Sequence, residues 1–229
     1  MISVVIAVNN GAKFLAAALN SVMMRQTRLP DEVIVVDDGS TDGSADIAAS
    51  FGSPIKVLRY AHRGGGSALN AGVAEARGEL LAFIDADDLW ADEKLAQQSA
   101  LLASDLSIDA VFGGVIQFTD MDCSIVEPDE IKQKSKCFIG VHKTAMLIRR
   151  AAFDRVGPFN AAVVADFPEW YARALCLGIR IACLESVVAF RRIHGDNATR
   201  TRRHSIHGDY LKLVRKLVAQ KEIGSHDRS

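Results

Sequence analysis

Apolar residues come in short runs, and most runs end on a polar turn. Ile2–Val8 is apolar and β-branched, and Glu32–Asp37 repeats that character. Ile55–Tyr60 alternates, and Leu80–Asp85 is again a continuous apolar run. Between these segments, Phe14–Met24, the stretch from Ser44 to Phe51, Gly66–Ala76 and Asp92–Leu102 carry helical spacing. Such strand–helix alternation predicts an α/β fold, with a mostly parallel central sheet and helices on both faces. Ligands of such sheets bind beyond the carboxyl ends of the strands. Asn9-Asn10, Asp37-Asp38 and Asp85–Asp88 all fall at such ends, so three polar sites converge on one rim.

The pattern loosens further on. Ala110–Thr119 reads as a strand, and Asp120–Lys136 as a long polar loop. Ala145–Arg149 is a short strand leading into a helix, Ala151–Val156, closed by Gly157-Pro158. Pro168–Leu177 is amphipathic, with Pro168 in its first turn. Ile179–Leu184 and Val187–Arg192 read as two strands, and Ser205–Ala219 as a helix with a Lys/Arg face. No repeat or linker divides the chain.

Composition narrows the class. Of 229 residues, 49% are hydrophobic and 24% charged, which suits one large globular domain. A net charge of −1 gives no global field for nucleic acid or an acidic membrane surface. No apolar stretch is long enough to span a bilayer, and the N-terminus shows neither a basic segment nor a cleavage site. The four cysteines form no C-x-x-C pair, so reduced thiols are expected. The expected location is the cytoplasm, free or peripheral to the membrane.

The candidate chemistry centres on Asp85-Ala86-Asp87-Asp88. Carboxylates held together raise one another's pKa, and a divalent cation removes that repulsion. Hard oxygen ligands suit magnesium, manganese or calcium, and bound magnesium usually also holds substrate phosphates. The plainer reading is an aspartate cap on a helix begun by Trp90 and Ala91. The first turn, Val8-Asn9-Asn10-Gly11, lacks G-x-G-x-x-G, and the chain has no G-x-x-x-x-G-K-[ST], which disfavours dehydrogenases and P-loop enzymes. Gly64-Gly65-Gly66 is either a flexible turn or a place for backbone N–H groups to meet a phosphate. Asp37-Asp38-Gly39-Ser40 is either a self-bonded turn or an acceptor for the imide N–H of uracil or thymine. His142 reads as a structural histidine.

Together these pieces resemble the family 2 nucleotide-sugar glycosyltransferases with the GT-A fold. The resemblance rests on Ile6–Asn10, Val35–Ser44, Ala68–Gly72, Ala76–Glu79 and Phe83–Trp90, in that order and spacing. Met146–Arg150, Phe153–Gly157, Phe159-Asn160, Trp170–Ala174 and Arg191–His194 extend it to about residue 200. It implies one GT-A domain over 1–229: a nucleotide-sugar half (1–104), an acceptor-side half (105–204), and a C-terminal helix and tail (205–229). It also implies a metal-dependent, inverting hexosyl or related transfer to an acceptor hydroxyl. A UDP-sugar is expected ahead of a dTDP-sugar.

Each matched position then has an implied role. Ala7, Asn9, Asp38, Asn70, Asp85 and Arg191 would hold the nucleotide. Asp85 and Asp87 form the Asp-x-Asp element, and Asp87, Asp88 and His194 would hold Mn2+ or Mg2+. Two registers put either Asp166 or Glu169 in the place of the catalytic base, with Asp166 preferred. The family's usual Pro-x-Tyr-Asn is here Ala7-Val8-Asn9-Asn10, so the base loses a stacking partner. Leu69 stands where an arginine is frequent. Two other classes remain: a non-catalytic sugar-nucleotide-binding module, and a nucleotidyltransferase of similar sheet. The acceptor could be a saccharide, lipid, peptide or small metabolite.

Overall fold

The computed structural model describes residues 1–119, 137–139 and 141–195. The loop expected over Asp120–Lys136 and the helix expected over Ser205–Ala219 lie outside these residues.

Four strands, β1 (Ile2–Val8), β2 (Glu32–Asp38), β3 (Ile55–Tyr60) and β4 (Leu80–Asp85), pair in parallel in the order β3-β2-β1-β4. Helices α1 (Ala12–Met23), α2 (Ser44–Ser50) and α3 (Gly65–Glu75) connect them. The inner strands are nearly continuous in Val, Ile and Leu because parallel strands are buried on both faces; Val4, Val5, Ile6 and Val33–Val36 are fully buried. α3 lies very close to this sheet. A Cβ on Gly72 would fall 2.4 Å from Val5 Cγ1, so only glycine fits at that crossing. The register places Val8 beside Asp37 and Ala7 beside Asp85, which brings the polar strand ends into line.

Beyond β4 the sheet is mixed. A two-residue β5 (Leu89–Trp90) precedes α4 (Lys94–Ser104), β6 (Ala110–Thr119) and β7 (Cys137–Ile139). A 3-10 turn (Lys143–Ala145), β8 (Leu147–Arg149), α5 (Arg150–Val156), α6 (Asp166–Cys176) and β9 (Ile181–Ile193) complete the described chain. The nine-stranded sheet continues β4-β8-β6-β9-β5, with β7 also on β6. Here only β6 and β9 run parallel; β4–β8, β6–β8, β6–β7 and β5–β9 are antiparallel.

Two expectations change. The segments expected as separate strands are one, because β6 pairs along β9 and absorbs the mismatch in register shifts around Gly114. Gly113 allows this: a Cβ there would sit 2.6 Å from Val188 Cγ1. Trp90 and Ala91 do not start a helix, since Leu89 and Trp90 pair with Phe190 and Ala189 of β9. Under α5 and α6, Phe153, Phe159 and Trp170 pack ring to ring at 5.4–5.8 Å. Such pairs contribute about 0.5–1.5 kcal/mol each beyond area burial. No helix among the described residues is long and apolar enough to cross a membrane.

Candidate active site

Asp85 closes β4, and the chain turns at once, with the Asp88 N–H donating to the Asp85 carbonyl at 3.0 Å. β5 then runs beside β9, and that pairing delivers the end of β9 to the turn. The Arg192 N–H donates to Asp88 Oδ1 at 3.0 Å, and Arg192 Nε donates to the Asp87 carbonyl at 3.0 Å. The Arg192 guanidinium lies over the rings of Phe14 and Phe118, at 4.8 and 4.7 Å. His194 Nε2 stands 2.9 Å from Asp87 Oδ2, with its ring against Phe14.

The other wall is the turn before β8. Lys143 Nζ lies 2.9 Å from Asp85 Oδ1, and Thr144 Oγ1 donates to Asp88 Oδ2 at 2.7 Å. His142 Nδ1 is 4.0 Å from Asp88 Oδ2. Asp85, Asp88 and His142 each present one ligand atom within 4.8 Å of the others.

Burial and like charge divide these carboxylates. Burial, Asp87 and Asp85 push the Asp88 carboxyl well above the usual range, against the opposing bonds from Thr144 and Arg192. Asp87 is also raised, by burial and Asp85, with His194 opposing. Burial acts upward on Asp85 too, but Lys143, His142 and Arg191 hold it below the usual range. Burial draws His142 down to about 4, against the pull of Asp85, so at neutral pH its imidazole is uncharged. Burial would lower Lys143, but Asp85 and Asp166 raise it, so it remains an ammonium.

This donor set fits a hard divalent cation. Its two carboxylates suit manganese or magnesium, the neutral imidazole can add a nitrogen ligand, and a cation would relieve the repulsion that helps raise Asp88. The grouping differs from the expected Asp87, Asp88 and His194. Asp87 and His194 pair with each other, while Asp88 groups with Asp85 and His142.

At the end of β2 the bonds run to backbone. Asp38, 3% exposed, accepts the N–H groups of Arg63 and Gly64 at 2.7 and 2.9 Å, and His62 Nδ1 lies 2.9 Å from its Oδ2. Asn9 Nδ2 donates to the Asp38 carbonyl at 2.7 Å. Ala7 is half-buried at the rim, one register step from Val8 and paired with Asp85. Asn70 has a different task from the nucleotide contact expected of it. Its amide donates to the Phe159 carbonyl at 2.8 Å and accepts the Phe159 N–H at 2.9 Å, clamping α3 to the turn after α5.

That clamp brings the segment after α5 over α3. A Cβ on Gly66 would lie 3.5 Å from Asp166 Oδ2, and the Asp166 charge reaches Lys143. Glu169 is engaged elsewhere. Both its oxygens accept from Arg173 Nε at 3.0 Å, and Arg173 also donates to the Val156 and Pro158 carbonyls. Of the two candidates for a base, only Asp166 borders the carboxylate cluster through Lys143.

His142, Lys143, Thr144 and Arg192 were not singled out as site residues by sequence. Each sits in a segment whose neighbours are set by sheet order, and only the position of Arg192 beside Arg191 gave a local signal.

The profile of "Glycosyl transferase family 2" matches residues 3–157. An uncharacterized glycosyltransferase of Nostoc sp. is 33% identical over 214 residues, covering 86% of this chain and 66% of that protein. The putative glycosyltransferase EpsH of Bacillus subtilis is 34% identical over 133 residues, 55% of this chain and 38% of that protein. The chain thus spans two thirds or less of the length of these relatives. Two solved structures share the fold at low identity. S. aureus TarS 1-349 in complex with UDP-GlcNAc superposes with a TM-score of 0.70 at 21% identity, covering 86% of this chain and 60% of that one. Mannosyltransferase PcManGT from Pyrobaculum calidifontis, in complex with GDP-Man and Mn2+, gives 0.71 at 22% identity, covering 93% and 64%. The half-parallel, half-mixed sheet is therefore the GT-A arrangement, and the chain belongs to glycosyl transferase family 2.

Proposed function

We propose that this chain moves a sugar from a nucleoside-diphosphate donor to an acceptor hydroxyl, with inversion at the anomeric carbon. The observation that carries the reading is the meeting of Asp85, Asp88 and His142 beside Lys143, on which the Asp166 charge also acts. A bound divalent cation would neutralise charge on the leaving diphosphate. Asp88 and Asp85, with His142, are the residues that would hold it. Lys143 and Arg191, both acting on Asp85, carry positive charge for the diphosphate oxygens. Ala7 and Asn9 border the nucleoside. Asp38 has about four lone-pair sites, so it can accept a uracil imide N–H while still holding the loop at Arg63. Asp166 takes the acceptor's hydroxyl proton as the new carbon–oxygen bond forms and the bond to the diphosphate breaks. UDP is the favoured nucleotide on the chemistry of Asp38, and manganese or magnesium on the two carboxylates in the donor set.

Calorimetry of UDP and GDP with manganese, with magnesium and with EDTA tests the reading. UDP should bind in the presence of a cation and lose that affinity in EDTA. Equal affinity in EDTA would remove the cation from the reading, and no affinity for either nucleotide would remove the donor. Release of free sugar from a UDP-sugar then separates a transferase from a binding module.

A further inference from the structure

Lys94 is fully buried at the first position of α4 and has no carboxylate partner among the described residues. Lysines are almost never fully buried unless paired. Its Nζ donates to Gln98 Oε1 at 2.6 Å and to the Met146 carbonyl at 3.3 Å, and it lies over the Trp90 ring at 4.5 Å. Gln98 Nε2 donates to the Ala145 carbonyl at 2.8 Å and to the Val111 carbonyl at 3.0 Å. Trp90 Nε1 donates to the Thr144 carbonyl at 2.9 Å. Three successive carbonyls, those of Thr144, Ala145 and Met146, are thus each held by a side chain from the segment 90–98.

The same turn carries the partners of the carboxylate cluster. Thr144 is held through its carbonyl on one side and donates through its hydroxyl to Asp88 on the other. Its N–H donates to His142 Nδ1 at 3.3 Å, so the imidazole is fixed relative to the same residue. Burial pushes the Lys94 ammonium well down, which favours an amine able to donate to a carbonyl without the cost of a desolvated charge. Apolar residues of similar volume could fill this space but would leave Gln98 Oε1 and the Met146 carbonyl without this donor. What they would lose is the fixed position of the turn.

We infer that Trp90, Lys94 and Gln98 are positioning residues for the cation-binding cluster, fixing the carbonyls of Thr144–Met146 and so holding Thr144 and His142 against Asp88. The inference rests on the proposed reading that this cluster binds a divalent cation. None of the three touches the cluster directly; they act through the turn.

The test uses the full chain with Trp90→Phe, Lys94→Met and Gln98→Met, and Leu102→Ala as a core variant of α4 outside this network. Free manganese is titrated by electron paramagnetic resonance, without nucleotide. Hydrogen exchange of the segment 142–149 is followed without cation. The three variants should weaken manganese binding by about 10–100-fold, the usual effect of losing an outer partner of a metal site, and speed exchange in that segment. Leu102→Ala should lower Tm yet bind manganese as the parent does. Trp90→Phe keeps the ring under Lys94 and removes one donor, so it decides the matter if Lys94→Met fails to fold. Parent-like manganese affinity and parent-like exchange in folded Trp90→Phe and Gln98→Met would overturn the inference. If the parent itself binds no manganese, the cation reading fails, and exchange alone still decides whether these residues fix the turn.

Discussion

At the end of β2 the Asp38 carboxylate accepts two backbone N–H groups, from Arg63 and Gly64. At the end of β4, Asp85, Asp87 and Asp88 crowd together, with Lys143 and Arg191 acting on Asp85 and the His194 ring against Asp87. Both strands present aspartates to one rim. Asp38 is satisfied by N–H groups that hold a loop, so its carboxylate is matched without an added cation. Asp88 is buried among like charges that push its carboxyl well above the usual range, and a cation would relieve that repulsion. An acidic strand end is therefore not a cation-site signal by itself; the partners decide.

The sharpest way to test that contrast is at Asp88. Asp88→Asn should lower turnover by about 10³-fold or more, since several kcal/mol of charge stabilisation go with the cation. Thermal melting without cation should change little, because the amide keeps the shape of the carboxyl and removes one of the crowded like charges. A large loss of stability would place Asp88 with Asp38, as a fold residue.

Asp166→Asn should cut turnover by about 10²–10⁴-fold while UDP affinity stays, as expected for loss of a general base. Steady-state kinetics and calorimetry on the same preparation read both. Unchanged turnover would put the base elsewhere.

The opposite behaviour is expected at β2. Asp38→Ala should destabilise the fold by about 2–3 kcal/mol, because it strips a charged acceptor from two backbone donors. Urea unfolding measures this, and a stability equal to that of the parent would mean that the loop at Arg63 does not depend on Asp38.

Lys94 gives a pH prediction of known sign. Its folded pKa is depressed, so the unfolded chain binds more protons between that value and the ordinary lysine value. Its contribution to stability is therefore complete above the ordinary value and is lost as pH falls towards the folded one. Stability of the parent relative to Lys94→Met should rise with pH through this alkaline window, by at most about 1.4 kcal/mol per pH unit. A flat difference between pH 7 and 10 would contradict it.

The smallest effect is at Glu169. Its pairing with Arg173 is an i,i+4 contact on a partly buried face. Glu169→Gln should cost under about 1 kcal/mol and leave turnover near that of the parent. A variant inactive at Glu169 and active at Asp166 would reverse the two roles.

The first half of the fold was legible in sequence because each parallel strand is a buried apolar run with a turn at its end. β1, β3 and β4 begin and end where the pattern puts them. β9 was not, because Glu185-Ser186 interrupts its apolar pattern and reads as a turn, whereas pairing with β6 carries the strand through. The carboxylates of the site were visible as a motif, but their partners were not. His142 and Thr144 lie 54 and 56 residues from Asp88 in the chain and meet it only through the order of the sheet. Lys94 misleads in the other direction. A lysine at a helix start reads as solvated, and nothing local reveals that three carbonyls wait for donors there. Asn70 sits in a family motif and so reads as a ligand contact, while both ends of its amide are taken by Phe159.

The pairing of β5 with β9 also bears on the order in which the chain assembles. Asp88 leaves the ribosome long before Arg192, which follows it by 104 residues. Until β9 docks, the carboxylate cluster lacks the Arg192 N–H and the His194 imidazole, although β1–β4 already have the local connections to pair. Contacts this far apart in sequence form late and slowly, because loop closure must precede any gain from them. The site is thus among the last features to mature, after the parallel strands β1–β4 have their partners.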